Sequence, residues 1–165
     1  MAGLCILFKP EACIGCHGCE VACKSWRQVE LGLKWRKVDT GWQGIYPDVK
    51  SIFSSTACKH CEEPECMLAC PTEAITKEEL TGAVVVNRDN CIGCRLCLQA
   101  CPYGIPQFGS DQKMQKCDLC HNDLVGYQQE KDKYCYVPPC VATCPTHALR
   151  LIPVNMDHIL PSGDD

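Results

Sequence analysis

No stretch of this 165-residue chain approaches eighteen consecutive apolar residues, so the sequence predicts no transmembrane helix. Its first residues, MAGLCILFKPEACIGC, lack both a charged n-region and a long apolar h-region, and no signal peptide is expected. Basic residues are the minority, 16 against 20 acidic, for a formal charge of −4; that argues against nucleic acid as a partner. The chain has no phosphate-binding glycine loop, no nucleophile triad and no open metal site. Apolar side chains are also fewer than they look. The 46% hydrophobic share counts 18 cysteines, and without them it falls to roughly 35%, a thin supply for the core of a small protein. Bound metal must fill that interior, so apo chain is expected to be largely unfolded. The length suits one compact unit or two small ones.

What the chain has instead is patterned sulfur. Cys91–Gly104 reads CIGCRLCLQACPYG. Its spacing, C-x2-C-x2-C-x3-C-P, is the run by which bacterial ferredoxins hold 4Fe–4S clusters. Three thiolates within seven residues converge on one small object, while the fourth, a helical turn further on, ligates a neighbouring cluster. One such run therefore implies another, and the cysteines sort into four quartets. They are Cys13, Cys16, Cys19, Cys23; Cys58, Cys61, Cys66, Cys70; Cys91, Cys94, Cys97, Cys101; and Cys117, Cys120, Cys140, Cys144. Cys140 rather than Cys135 completes the last, because PPCVATCPT repeats the form of EPECMLACPT. Cys5 and Cys135 are left over. A disulfide scaffold, zinc and reactive thiols are the competing readings. The missing signal peptide opposes the first. Four-thiolate zinc sites usually join two separated C-x2-C pairs, which only the fourth quartet half resembles. Sixteen thiols at fixed spacing are too many for the third, and the balance favours iron and sulfide.

Between the motifs, residues 4–8 read as a buried strand with Cys5 as a core residue. Residues 20–30 read as a helix ended by Gly32, and 33–44 as a strand followed by a turn. Trp26, Trp35 and Trp42 are expected to pack; shielding a cluster from water is the alternative. Residues 47–56 are expected to connect, with 51–55 extended. Segments 74–76 and 83–86 form a hairpin candidate through a turn at 80–82. Residues 58–108 thus make a complete unit of motif, hairpin, motif and exit strand, an internal repeat. The insert 121–137, carrying Cys135, reads as a solvated loop with one helical turn; 148–152 is an exit strand and 153–165 a tail. His17, His60 and His121 stand within or beside cysteine motifs, where a ring N–H could donate to cluster sulfur. An ordinary loop histidine is the competing reading, and no cluster needs a His ligand.

Taken together, these residues resemble the four-cluster ferredoxin-like electron-transfer subunits of dimethyl sulfoxide reductase, polysulfide reductase and related molybdopterin enzymes. The likeness rests on CKHCEEPECMLACPTEAITK, VVVNRDNCIGCRLCLQACPYGIPQF, KCDLC and PPCVATCPTHAL, and runs from about Cys13 to Leu151. This chain departs from the family in its long spacer between Cys120 and Cys140 and in being short overall. The resemblance implies an α+β fold of two bacterial-ferredoxin-like 2×(4Fe–4S) modules, one inserted within the other, with short strands and helices and many loops. The outer module would be split over 1–50 and 109–165, and the inserted one would be 51–108.

The resemblance also implies four 4Fe–4S clusters. Their ligands would be Cys13, Cys16, Cys19 and Cys144; Cys117, Cys120, Cys140 and Cys23; Cys58, Cys61, Cys66 and Cys101; and Cys91, Cys94, Cys97 and Cys70. In nitrate reductase relatives a Trp replaces the cysteine corresponding to Cys94, giving a 3Fe–4S centre; here Cys94 is intact. The implied role is a non-catalytic relay of single electrons between a large molybdenum- or tungsten-pterin catalytic subunit and a second redox subunit or carrier. The cluster of Cys13, Cys16, Cys19 and Cys144 would lie nearest the pterin. Each oxidised cluster with its thiolates would add about −2 of charge, making the loaded protein more acidic. A free-standing soluble polyferredoxin is the alternative, and a structural or sensing protein stapled by metal a third. A cytoplasmic location is expected, with export alongside a folded catalytic subunit open, as in relatives.

Overall fold

The structure is a computed structural model that describes residues 3–121 and 137–153. The elements run in chain order as β1 (Leu4–Phe8), a 3-10 turn (Pro10–Ala12), α1 (Gly18–Trp26), β2 (Lys37–Gln43), β3 (Lys50–Thr56), α2 (Glu65–Leu68), β4 (Ile75–Lys77) and β5 (Val84–Val86). They continue as α3 (Leu96–Ala100), β6 (Gln107–Phe108), β7 (Met114–Gln115), α4 (Pro139–Ala142) and β8 (Leu149–Pro153). Four two-stranded antiparallel sheets result: β1 with β8, β2 with β3, β4 with β5, and β6 with β7. The protein is a small α+β molecule of short strands and short helices. Its β1–β8 sheet sets Leu4 opposite Pro153 and Phe8 opposite Leu149, closing the described chain on itself.

The strands expected at 4–8, 74–76, 83–86 and 148–152 correspond to β1, β4, β5 and β8. Two expectations need correction. The first helix stops at Trp26, well before Gly32. Gln28 takes a left-handed φ of 49°, Val29 N–H donates to Lys24 O at 3.0 Å and Gln28 N–H to Ser25 O at 3.4 Å. That is a Schellman ending, built here without glycine. Residues 50–56, which hold the stretch expected to be extended at 51–55, do more than connect. They form β3, which pairs with β2 through seven registered positions, Lys37↔Thr56 to Gln43↔Lys50. The insert residues 122–136, with Cys135 and the expected helical turn, and the tail 154–165 lie outside the described residues.

Glu20, on the first turn of α1, ties this hairpin to the helix. Its carboxylate accepts from the buried Val38 N–H and, at 3.0 Å, from Lys34 Nζ. Burial would raise the Glu20 pKa, but the Val38 amide, Lys34 and His17 outweigh it and hold the carboxyl below its usual range. Glu20→Ala leaves the Val38 amide buried without its acceptor, a loss of about 1–3 kcal/mol. The loaded protein should melt lower by about 2–4 °C per kcal/mol, read as thermal bleaching of visible absorbance; an unchanged midpoint would remove Glu20 from this role.

Apolar burial is concentrated in two clusters. One joins Cys19, Cys23, Val38, Cys140 and Leu149; the other joins Ile75, Val84, Cys97 and Met114. A seam of Leu4, Ala83 and Leu119 links β1, the β4–β5 hairpin and the loop after β7, and Leu4 N–H donates across it to Thr81 O at 2.7 Å. No helix among the described residues is long and apolar enough to cross a membrane.

Candidate metal centres

The helices do little besides carry cysteines to the edges of hollows. The first hollow, about 330 Å³ with its mouth included, is lined by Cys13, Cys16, Cys19 and Cys144 beside Phe8, Val38 and Leu149. The second, about 320 Å³, is lined by Cys23, Cys117, Cys120 and Cys140 beside Trp35 and Arg36. The third, also about 320 Å³, is lined by Cys70, Cys91, Cys94 and Cys97 beside Phe108 and Met114. Cys66 stands within electrostatic reach of Cys58, Cys61 and Cys101, which gathers the remaining four. In each of the three hollows, thiols from one stretch of chain meet a thiol from far away in sequence. None of the described cysteines forms a disulfide. Nor do any three Cys, His, Asp or Glu side chains among the described residues close on a single-ion point.

The loop backbone repeats from motif to motif. In the two CIGC loops Gly15 has φ 65° and Gly93 φ 71°. A Cβ at Gly15 would stand 2.2 Å from the Phe53 ring, and one at Gly93 would stand 2.6 Å from Gln112 O. Only glycine lets the chain turn at such close approach. Two residues further, His17 and Arg95 are both left-handed and both precede a helix, α1 and α3. His60 and Leu119 match in the CKHC and CDLC loops, and Glu73 and His147 match after the two CPT segments, again all left-handed. The sequence repeat is therefore also a repeat of backbone conformation.

Burial and mutual proximity control the thiols. Cys23 is pushed up to about 12 by burial and by neighbouring Cys117 and Cys140, and Cys97 to about 11 by burial with Cys66 and Cys91 near it. Thiols crowded in this way ionise together only against a compensating positive charge, which iron supplies. Cys70 and Cys144 differ. Burial acts to raise them too, but the Thr72 hydroxyl at 3.7 Å and the backbone amides of Thr72, Ala74 and Ile75 bring Cys70 below the usual value. Thr146 at 3.9 Å and the backbone amides of Thr146, Ala148 and Leu149 do the same for Cys144. Met114 N–H donates to Cys91 Sγ at 3.3 Å, and Ser55 Oγ lies 3.8 Å from Cys19 Sγ.

Among the described residues, two buried side-chain nitrogens, Arg36 Nε and His60 Nε2, find no acceptor. His60 Nδ1 accepts from Val84 N–H at 3.0 Å, which leaves the proton on Nε2. Buried donors of this kind, set among convergent thiols, suit an anionic sulfur-rich group. The residues present thus fit 4Fe–4S clusters. His17 instead bonds Glu20 at 3.1 Å.

The tryptophans divide. Trp35 lines the second hollow and donates to Gln115 Oε1 at 3.0 Å, whereas Trp26 and Trp42 are 56% and 74% exposed. Cys5 lines none of the three hollows. Sequence reasoning missed Ser55, Thr72, Thr146, Arg36 and Lys116. Only the two threonines carried a signal, the repeated CPT.

Comparison with known proteins agrees with this chemistry. The 4Fe-4S dicluster domain family matches residues 49–154, and a 4Fe-4S binding domain matches residues 10–26. A subunit of the sulfite dehydrogenase of Allochromatium vinosum is 34% identical, over 90% of this chain and 68% of the relative. A subunit of the anaerobic dimethyl sulfoxide reductase of Escherichia coli is 37% identical, over 87% and 70%. The formate dehydrogenase iron-sulfur subunit of Wolinella succinogenes is 38% identical, over 83% and 74%. Patterned thiols, repeated loops and these relatives agree: this protein belongs to the family of 4Fe–4S dicluster ferredoxin-like subunits, homologous to the iron–sulfur subunits of dimethyl sulfoxide reductase, formate dehydrogenase and sulfite dehydrogenase.

Proposed function

We propose that the chain is a relay of four 4Fe–4S clusters, passing single electrons between a large molybdenum- or tungsten-pterin catalytic subunit and a second redox partner. Bound clusters supply the one-electron centres; the protein holds them, orders them and keeps water from them. The proposed ligands are Cys13, Cys16, Cys19 and Cys144; Cys117, Cys120, Cys140 and Cys23; Cys58, Cys61, Cys66 and Cys101; and Cys91, Cys94, Cys97 and Cys70. One observation carries the reading: three separate hollows each gather four thiols, three from one set of motif positions and the fourth from a distant one. The module division, 51–108 inserted between 1–50 and 109–165, rests on the same interleaving.

The order of the sets follows from their neighbours. Cys19 of the first set and Cys117 and Cys140 of the second both lie within electrostatic reach of Arg36. Cys117 is likewise within reach of Cys58, and Cys66 within reach of Cys97. That supports a linear series beginning at Cys13–Cys16–Cys19 and ending at Cys91–Cys94–Cys97. Cys16 and Cys94, at its two ends, are the exposed members among the proposed ligands. Exposed Ile14 and Ile92 adjoin them, and apolar side chains left on a surface often mark contact with another protein. The pterin subunit is assigned to the Cys16 end and the second partner to the Cys94 end. Loading is assigned to the cytoplasm, where thiols stay reduced.

Anaerobic purification of the tagged chain tests this. About sixteen irons with matching sulfide, and a co-eluting large chain holding molybdenum or tungsten, are expected. A fully loaded monomer without such a chain would favour the free-standing polyferredoxin. Stoichiometric zinc with almost no iron would overturn both.

A further inference from the structure

Two cations are buried where successive thiol sets meet. Arg36 is 4% exposed and Lys116 3%, and among the described residues neither pairs with a carboxylate. Arg36 lines the hollow of Cys23, Cys117, Cys120 and Cys140. Its Nη1 donates at 3.1 Å to Ser55 Oγ, and Ser55 Oγ lies 3.8 Å from Cys19 Sγ in the adjoining hollow. Lys116 Nζ donates to Cys117 O at 3.0 Å and to Val84 O. Val84 N–H in turn donates to His60, in the loop between Cys58 and Cys61. Arg36 thus lines one set and reaches the next through Ser55, while Lys116 holds the backbone of one set and reaches the loop of the next through Val84 and His60.

A buried unpaired charge costs several kcal/mol and persists only where opposite charge surrounds it. Among the described residues no carboxylate supplies that charge. Arg36 stands instead within electrostatic reach of Cys140, Cys117 and Cys19. Lys116 stands in turn within electrostatic reach of Cys58 and Cys66.

We propose that Arg36 and Lys116 set the potentials of the relay at its two inner junctions. Arg36 would act on the centres of Cys13–Cys16–Cys19 and Cys117–Cys120–Cys140, and Lys116 on the latter and on the centre of Cys58–Cys61–Cys66. The inference rests on the four-cluster reading. Reduction adds negative charge to a centre, so a fixed cation nearby stabilises the reduced form and raises the potential. Both residues are positioning residues: they shift the equilibrium without passing the electron. A centre flanked by both cations is held highest relative to what its ligands alone would give, which draws electrons from either end toward the middle of the series.

The test is an EPR-monitored redox titration of loaded wild type, Arg36→Gln, Arg36→Lys, Lys116→Gln and Lys116→Arg, with iron and sulfide measured for each. Arg36→Gln should shift the reduction equilibria of its two flanking centres at least tenfold toward the oxidised form, about 59 mV for one electron. The Cys91–Cys94–Cys97 centre should stay in place. Lys116→Gln should move the second and third centres of the series equally far and leave the first. The charge-keeping variants should stay near wild type. Iron loss in Arg36→Gln or Lys116→Gln with retention in its charge-keeping partner supports the same role, as countercharge. Potentials unmoved at full iron, a uniform shift of all four centres, or equal iron loss in neutral and charge-keeping variants would each overturn it. Wild type with far less than full iron would instead overturn the four-cluster reading.

Discussion

Stripping the iron should unfold the protein outright. No sheet among the described residues has more than two strands, and isolated two-stranded hairpins are at best marginally stable in water. The longest described helix, α1, has nine residues, too few to persist alone. Packing cannot make up the difference: three of the five buried members of one core cluster are cysteines, and their thiol faces are the walls of the hollows. Structural metal contributes about 10–16 kcal/mol in small zinc peptides, as much as the whole net stability of an ordinary domain, about 5–15 kcal/mol. Anaerobic chelation should therefore abolish the cooperative thermal transition and near-ultraviolet dichroism and open the chain to proteolysis. Iron and sulfide under reducing conditions should restore all three. An apo chain with a sharp transition near that of the loaded protein would mean that carbon packing, not the thiol sets, holds the fold.

The part legible in the sequence is the part metal dictates. A ligand cannot move by one residue without losing its centre, so Cys13, Cys58, Cys91 and their companions keep strict spacing, and the strands entering and leaving the motifs, β1, β4, β5 and β8, follow from it. Elements that metal does not dictate were harder to read. β3, KSIFSST, is mostly exposed and offers only Ile52 and Phe53 as apolar residues, so no hydrophobic period marks it. Backbone pairing with β2 and the seating of Phe53 on Gly15 hold it instead. The end of α1 was misplaced because Gln28 takes the left-handed position that Gly32 advertises. Arg36 and Lys116 were invisible for a related reason. In WRK and MQKC a cation reads as solvated surface, and only the fold shows that the water has been replaced, by a thiol-lined hollow at Arg36 and by backbone carbonyls at Lys116.

Replacing Cys101 with serine should damage a centre other than the one its own motif surrounds. Cys97 and Cys101 are four residues apart, and α3 ends at Ala100, so Cys101 starts the chain's exit from the helix. The hollow of Cys91, Cys94 and Cys97 takes its fourth thiol from Cys70 and is not lined by Cys101. Cys101 lies instead within electrostatic reach of Cys66, and the helix bearing Cys66, α2, packs against α3. Cys101→Ser should then cost about four of the sixteen irons, all from the centre of Cys58, Cys61 and Cys66, and stop turnover through the full series because an inner link is gone. Cys70→Ser is the mirror experiment. It should remove the terminal centre of Cys91, Cys94 and Cys97 and leave the other three reducible from the Cys16 end. Assigned EPR signals decide between local and exchanged ligands: if Cys101→Ser erased only the centre of its own neighbours, each motif would serve itself, and the proposed interleaving of ligands would be wrong.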